Sequence, residues 1–409
     1  MSKNKNIVLI ATLDTKGKEA GYIKGILETI GCKVTVIDVG VYEPQLKPDI
    51  SRHEVTRAAS SDITVLASKR DEGAVARRMA EGATKIIREL YNAGKVDGVI
   101  AIGGSMGTAI CTAPMRALPF GIPKVMVSAA ASTNVRPYVG TKDIMMVNSV
   151  TDFLGLNRIN KRVLANAAVA VAAMAGMKVE VEVERPLIGM TSTGAQQITA
   201  TKVKDALESE GYEVACFHSF QSLALCECIE NGVINGGVID LSLLDVICWL
   251  VNPYGEFSAG PERLEVPGRY GIPHVVVPGS VDFICLHQSD VPKDWYGKRK
   301  MHVHTPEMLA VKSALDELLP LARIICEKLN KAKGPAAVVV PTKAFSVHDA
   351  PGAPAGFYDP EMKKSFIQEL KKELNRDKIF YIEVDAKIND LEFADAVVRV
   401  CLKLLRKWK

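Results

Sequence analysis

With 409 residues, 48% of them hydrophobic and 24% charged, the chain has the composition of a soluble globular protein and is too long for one ordinary core, so two domains are expected. A net charge of +4, with no basic run interleaved with aromatics, argues against a nucleic-acid partner. No apolar stretch is long enough to span a membrane and the polar opening runs straight into a strand, so neither a membrane partner nor a signal peptide is expected. Ile7–Thr12 reads as a strand, Asp14–Gly17 as a loop, and Glu19–Ile30 as a helix stopped by Gly31. Val34–Val39 completes a βαβ unit, the building block of parallel sheets. A polar stretch with Pro44 and Pro48 leads to a long helix opened by Arg70-Asp71-Glu72-Gly73 and reaching about Ala93. The apolar run Val96–Ile102 then enters the cluster Gly103-Gly104-Ser105-Met106-Gly107-Thr108, read as a buried strand, a tight loop and the first turn of a helix. Gly121-Ile122-Pro123 precedes a strand, Lys124–Ser128. Leu156–Met177 is a long helix, largely alanine from Val163, whose faces are expected to bury against a second copy in a C2 homodimer.

The second half begins again. Leu187–Thr191 is a strand, Ser192–Ala195 a loop, Ile198–Glu210 a helix ended by Gly211, and Val214–His218 a strand. Tyr22–Asp38 aligns with Lys202–His218 at a constant offset of 180, so that Gly31 meets Gly211 and Val34 meets Val214. Gly121-Ile122-Pro123 recurs as Gly271-Ile272-Pro273. The strand before the glycine loop has a counterpart in Gly237–Asp240, where Leu241-Ser242-Leu243-Leu244 replaces the loop. Strands at Ala336–Val340 and Ile379–Val384, with helices at Pro360–Leu374 and Asp390–Leu405, complete the tail. The expected fold class is α/β, with two Rossmann-like domains of mostly parallel sheet arising from internal duplication. The N-terminal domain, 1–184, carries the Gly-rich anion loop; the C-terminal domain is 185–409, with the boundary near Val183–Pro186.

The glycine loop is the chemical centre of this reading. Gly103, Gly104 and Gly107 clear side chains from the backbone and permit positive φ, which exposes successive N–H groups. Ser105 and Thr108 add hydroxyls, with Thr108 as N-cap. A helix N-terminus carries roughly +0.5 of an elementary charge, so the loop suits a phosphate or carboxylate. The motif is neither GxGxxG nor GxxxxGK[ST], so it specifies no nucleotide fold by itself. Ligands of doubly wound sheets bind beyond the carboxyl ends of the strands. On that basis the small-molecule anionic ligand is assigned to Thr12, Asp14, Thr15, Lys16, Gly103, Gly104, Ser105, Gly107, Thr108, Ser128, Ser132, Thr193 and Gly194. Lys16 supplies a point charge near a phosphate, and Asp14 a Mg²⁺ contact through water or a ribose hydroxyl. No independent phosphate site is expected at Asp240–Leu244.

Other motifs carry weaker readings. His302 and His304 form H-x-H and share a face in an extended segment; zinc there needs Asp282 and His287, and two histidines without metal are the expectation. His348 beside Asp349 could serve as a general base, or Asp349 could cap a turn. Cys226 and Cys228 form C-x-C with no completing ligands, so no metal is assigned. Nine cysteines, an odd number lying mostly in apolar runs, fit reduced thiols in a cytoplasmic protein. No G-x-S-x-G elbow and no cysteine nucleophile pattern appears.

In combination, several motifs resemble a known family. They are Ala11-Thr12-Leu13-Asp14-Thr15-Lys16-Gly17, Arg70-Asp71-Glu72, Ile102–Thr108, Gly121-Ile122-Pro123-Lys124, Pro137-Tyr138-Val139-Gly140, Ser149-Val150-Thr151-Asp152 with Gly155–Asn160, and Thr191-Ser192-Thr193-Gly194, with Asp385 and Ile388-Asn389 near the end. The chain resembles the UPF0261 family, the Tm-1-like ATP-binding proteins, related to the N-terminal region of a plant antiviral resistance protein. The resemblance implies two Rossmann-like domains, a homodimer and, in at least some members, ATP binding, but no settled reaction. Ser128-Ala129-Ala130-Ala131-Ser132-Thr133 and the segments His304-Thr305-Pro306 and Val311-Lys312-Ser313 depart from the family pattern. The leading reading is a protein that binds ATP or another phosphorylated small molecule at the Gly-rich loop. The alternatives are an enzyme acting on a small organic or sugar acid, and a non-catalytic ligand-binding or interaction module.

Overall fold

The opening apolar run forms β1 (Asn6–Ala11), and α1 (Leu13–Ile30) and β2 (Lys33–Asp38) complete the first βαβ unit. The computed structural model describes residues 4–68, 71–177 and 185–408. The chain divides into two units, Met1–Val181 and Glu182–Lys409. The expected boundary at Val183–Pro186 begins outside the described residues, as does Arg70.

After β2 the first unit continues with α2 (Arg52–Ala58), α3 (Ile63–Ser68), α4 (Glu72–Asn92), β3 (Gly98–Gly103), α5 (Ser105–Arg116), β4 (Lys124–Ser128), α6 (Arg136–Val139), β5 (Met145–Asn148) and α7 (Arg158–Gly176). All strand pairs are parallel, in the order β2-β1-β3-β4-β5. Both faces of this sheet are covered, which is why its strands read as continuous apolar runs rather than alternating ones. Ile7, Leu9, Ile100 and Val125 pack under α1 and α7, while Val8, Ile10, Val99 and Met126 pack under α2, α4 and α5. Each such side chain contributes about 1.5–3 kcal/mol by leaving water.

Three expectations are corrected in this unit. Asp14–Gly17 is not a loop: α1 starts at Leu13 and kinks at Lys16 (φ −122°, ψ 17°), because Thr12 O accepts from the N–H groups of Thr15 and Lys16 and Asp38 Oδ1 accepts from Leu13 N. The polar stretch holds α2, nucleated by a Ser51–Glu54 capping box. The alanine face of α7 is spent internally: Ala167, Ala168, Ala172 and Ala175 are buried against α1 and the sheet. Val169 and Ala173, on its other side, stay exposed.

The second unit runs β6 (Leu187–Ser192), α8 (Gln197–Ser209), β7 (Glu213–His218), α9 (Ser222–Glu230), β8 (Gly237–Asp240), α10 (Leu244–Val251), α11 (Val266–Tyr270) and β9 (His274–Val276). It continues with β10 (Phe283–His287), β11 (Met301–Val303), β12 (Met308–Lys312), α12 (Leu315–Asn330), β13 (Ala336–Pro341), α13 (Pro360–Glu373), β14 (Phe380–Val384) and α14 (Leu391–Trp408). Its main sheet, β14-β13-β9-β8-β6-β7, is parallel throughout. Read from the other edge it repeats the first unit, with β7, β6, β8 and β9 in the places of β2, β1, β3 and β4. The repeated glycines behave alike: Gly31 and Gly211 end matching helices at φ 98° and 88°, and Gly121 and Gly271 turn into matching strands at φ 83° and 70°. A side chain is strained at those angles, so the repeat conserves a backbone need. The second unit adds a sixth strand to its main sheet and a three-stranded antiparallel sheet, β10-β12-β11, of which only the extended His302 segment is read from the sequence.

Candidate functional site

In the first unit α1 leaves β1 toward one face of the sheet and α5 leaves β3 toward the other. A crevice opens at the carboxyl ends of these adjacent strands, where such sheets bind ligands. Its walls face each other closely: a Cβ on Gly107 would stand 4.0 Å from Thr12 Oγ1. Gly103 sits so close to the turn that a Cβ would meet Gly107 and Thr108 backbone at 2.6–2.9 Å, whereas a Cβ on Gly104 would enter open space. Gly103 is therefore needed for close approach of the backbone, and none of the three glycines has positive φ; Gly104 is extended at φ −73°, ψ −163°.

Gly104 is the N-cap of α5, without a side-chain cap, and Ser105, Met106 and Gly107 form its first turn. The N–H groups of these three residues have no acceptor among the described residues, and Ser105 and Met106 are exposed. Thr108 lies one turn in and is not the N-cap. Its N–H and hydroxyl both donate to Gly104 O, at 2.8 and 2.7 Å, and its Oγ1 lies 2.6 Å from Ser128 Oγ. Ser128 Oγ also accepts from Ala130 N, and both side chains are fully buried. Thr108 and Ser128 thus brace the loop from beneath; Ser132 stays exposed on the loop after β4.

The β1 side is likewise braced. Thr12 and Thr15 hydroxyls lie 3.1 Å apart. Asp14 Oδ2 accepts from Val41 N and Tyr42 N at 2.9 and 3.0 Å, so it anchors the loop after β2. Lys16 Nζ donates to Phe153 O at 2.6 Å, which holds one of its three donors. Sequence reading missed Asp38, whose Oδ1 accepts from Leu13 N and Gly40 N while Oδ2 is buried without a partner. Burial raises its pKa above the usual carboxylate value, against the lowering effect of its two backbone donors.

At the matching place in the second unit, Leu241 and Leu243 are buried and no donor cradle forms. Arg263 fills the space instead. Its Nη2 and Nη1 donate to Asp240 Oδ1 and Oδ2 at 2.5 and 2.8 Å, and its Nε donates to Asp245 Oδ2 at 2.9 Å. Thr191, His274, Ser219 and Ser222 complete the two carboxylates. Burial pushes Asp240 upward, but Arg263 and His274 outweigh it and hold the carboxyl well below the usual range. Thr193 and Gly194 lie at the end of β6; the Thr193 hydroxyl is 2.8 Å from Gln196 Oε1, and Gly194 is exposed.

The histidine readings are redistributed. His302 lies on β11, His304 just past it, His348 in the loop after β13, and His218, not singled out from sequence, ends β7. The rings of His302 and His348 are 5.3 Å apart, and Phe283 and Phe357 meet His348 at 5.4 and 5.9 Å. Burial first, then the charges of His302 and His304, lower the pKa of His348; burial also lowers that of His218, with Asp245 opposing and His304 adding. Asp282 and His287 do not join them: Asp282 is buried with Oδ2 on Ser346 Oγ, and His287 pairs with Ser289. Nor do His348 and Asp349 form a dyad, because Asp349 Oδ2 accepts from Phe345 N and Lys363 Nζ. Among the described residues no group of three His, Cys, Asp or Glu is placed to hold a metal ion, and no cysteine is in a disulfide.

Residues 5–180 match the family described as Uncharacterised protein family (UPF0261) N-terminal domain, and residues 185–405 match its C-terminal domain. A UPF0261 protein of Clostridium tetani is 38% identical over 99% of this chain and 100% of its own length. The ToMV susceptible protein tm-1(GCR26) of Solanum lycopersicum is 30% identical over 99% of this chain and 56% of that protein. Among solved structures, Acinetobacter baumannii MurG aligns over 98% of this chain and 99% of its own at 12% identity and a TM-score of 0.23, too low to bear on function.

Proposed function

Because the chain belongs to the UPF0261 family, whose Tm-1-like resemblance brought ATP into view, we propose that its first unit binds ATP or another phosphorylated small molecule in the β1/β3 crevice. One observation carries the reading: the N–H groups of Ser105, Met106 and Gly107 point out of a 12-residue helix with no protein acceptor, beside an open Gly104. Oriented donors at a helix N-terminus are suited to a phosphate. Thr12 and Thr15 supply hydroxyls at the opposite wall, and Ser105 and Ser132 are the exposed hydroxyls that a larger ligand can reach. Mg²⁺ finds fewer free oxygens in the crevice, since Asp14 Oδ2 holds the Val41–Tyr42 backbone and Thr108 and Ser128 hold each other. No step is routed through a metal.

Gly104→Val tests the reading. At φ −73°, ψ −163° valine is unstrained, and its side chain enters open space where the ligand is placed. Losing two or three charge-assisted hydrogen bonds of roughly 1.5–3 kcal/mol each weakens ATP binding by more than ~100-fold. Calorimetry with ATP, with circular dichroism as folding control, checks this; a folded variant that binds as wild type does sinks it. A second reading, an enzyme acting on a small organic acid, draws on the half-buried imidazoles of His302 and His348, and turnover of a labelled acid separates it from binding without product. The reading includes a cytoplasmic homodimer; among the described residues no helix is long and apolar enough to cross a membrane.

A further inference from the structure

The second unit has a cavity that none of these readings uses. It is open to solvent and offers about 530 Å³ between the segment before β11, the end of β12, and the first turns of α12 and α13. That volume is in the range of small-molecule sites. Four cations line it, Lys298, Arg299, Lys300 and Lys312, against two anions, Asp359 and Glu361. The cations are not equally committed. Lys312 pairs with Asp359 at 2.7 Å. Lys300 Nζ donates to Gly356 O, which leaves its charge uncompensated by any carboxylate among the described residues, and Lys298 is exposed without an ion pair among them. Arg299 is held from two sides: its guanidinium lies 3.8 Å from the centroid of the Trp295 ring, and Nη2 donates to Glu317 Oε1 at 2.8 Å. Its Nη1 is then left buried with no hydrogen-bond partner.

We infer that this cavity is a binding site for a small polyanion carrying phosphate or carboxylate groups. A buried guanidinium nitrogen without an acceptor costs free energy, and an incoming oxyanion removes that cost. Stacking on Trp295 and the bond to Glu317 fix the fork, so little freedom is lost when the second nitrogen is engaged. Lys298 and Lys300 supply the charge that Asp359 and Glu361 do not cancel. The first turns of α12 and α13 reach the cavity wall, each already capped by a carboxylate, Glu317 on Ala314 N and Asp359 on Met362 N, so the free positive charge there is that of the side chains. The apolar Ala314, Leu315 and Met362 line the rest, room for a carbon skeleton behind the anionic groups.

The test uses the full chain in the Gly104→Val background, so that phosphate held by the first unit does not contribute. Sodium pyrophosphate and sodium citrate are titrated separately by calorimetry at low ionic strength; the tighter probe tells phosphate from carboxylate. Lys298→Glu reverses an exposed charge that makes no internal bond, and Arg299→Lys keeps the charge but loses the fork. Both are expected to weaken the tighter probe by about tenfold or more. Lys95→Glu, the same reversal at an exposed lysine of the first unit, leaves binding unchanged. Absence of saturable binding by either probe overturns the inference, as does equal weakening by Lys95→Glu and Lys298→Glu.

Discussion

After its third strand each unit turns at the same place in its sheet, and the two turns deal with charge in opposite ways. In the first unit the turn is Gly103-Gly104 followed by three N–H groups with no acceptor among the described residues, so the turn is left open to solvent or a ligand. In the second the turn is Asp240-Leu241-Ser242, and Arg263 comes from within the unit to occupy the carboxyl end of the strand. One repeat keeps an open cradle, and the other fills its own with a closed network of two carboxylates, a guanidinium, an imidazole and hydroxyls. Strand order and turn geometry survive the divergence; the chemistry at the turn does not. A shared fold therefore predicts where a site lies and not whether there is one.

The comparison breaks most sharply at Arg263. Arg263→Met leaves Asp240 and Asp245 buried without their shared guanidinium, held only by His274 and hydroxyls, and destabilises the second unit by about 3–5 kcal/mol. Trp249, Trp295 and Trp408 are the chain's three tryptophans and all lie in that unit, so their fluorescence in a urea titration reads its unfolding directly. In the first unit the corresponding change is steric. Gly103→Ala drives a methyl into backbone at 2.6–2.9 Å and is expected to cost about 1–3 kcal/mol. Gly104→Ala, which meets nothing within 4 Å, leaves the melting temperature read by circular dichroism unchanged.

A second carboxylate pair sharpens the point by lacking an arginine. Burial and then the charge of Asp349 push Asp282 from 3.8 up to about 7, and its Oδ1 is buried without a partner. A carboxyl raised on folding binds more protons folded than unfolded across that window, so its contribution to stability falls as pH rises from about 4 to about 7. Asp282→Asn removes this loss. The variant should melt above wild type at pH 8, by the equivalent of about 1–3 kcal/mol, and converge with it toward pH 4. The histidines act in the opposite sense: His218 and His348, lowered on folding, cost stability as pH falls below 6.5. The smallest effect separates brace from ligand contact. Thr108→Val removes the bond to Ser128 and costs about 1 kcal/mol in thermal unfolding, while ATP affinity stays within about twofold if backbone N–H groups hold the phosphate.

Strands, repeat and crevice were legible because they are written locally. Continuous apolar runs marked strands buried on both faces, and Gly31, Gly211, Gly121 and Gly271 marked turns that the backbone itself demands. What was not legible depends on partners distant in the chain. The contact of Lys16 Nζ with Phe153 O, 137 residues away, leaves no mark in the sequence. Arg263 carries no motif, and its contact with Thr191 spans 72 positions. Thr108 looks like a cap because Gly104, which performs that role without a side chain, gives no residue-type signal. The imidazole group is assembled from the end of β7, the loop after β13 and β11; His302, His304 and His348 each stand out in local motifs, but His218 and the grouping itself do not.

The double anchoring of the loop after β2 has a consequence for rates. Asp14 holds the backbone of Val41 and Tyr42, Gln45 Nε2 donates to Asp14 O, and Arg52 grips Tyr42 O and Glu43 from the other side. The segment bordering the α1 side of the crevice is ordered before any ligand arrives. Association then has no loop to wait for and little conformational entropy to remove. Substitutions that loosen the ligand in the crevice should act on its residence time, with the rate of arrival nearly constant across the series.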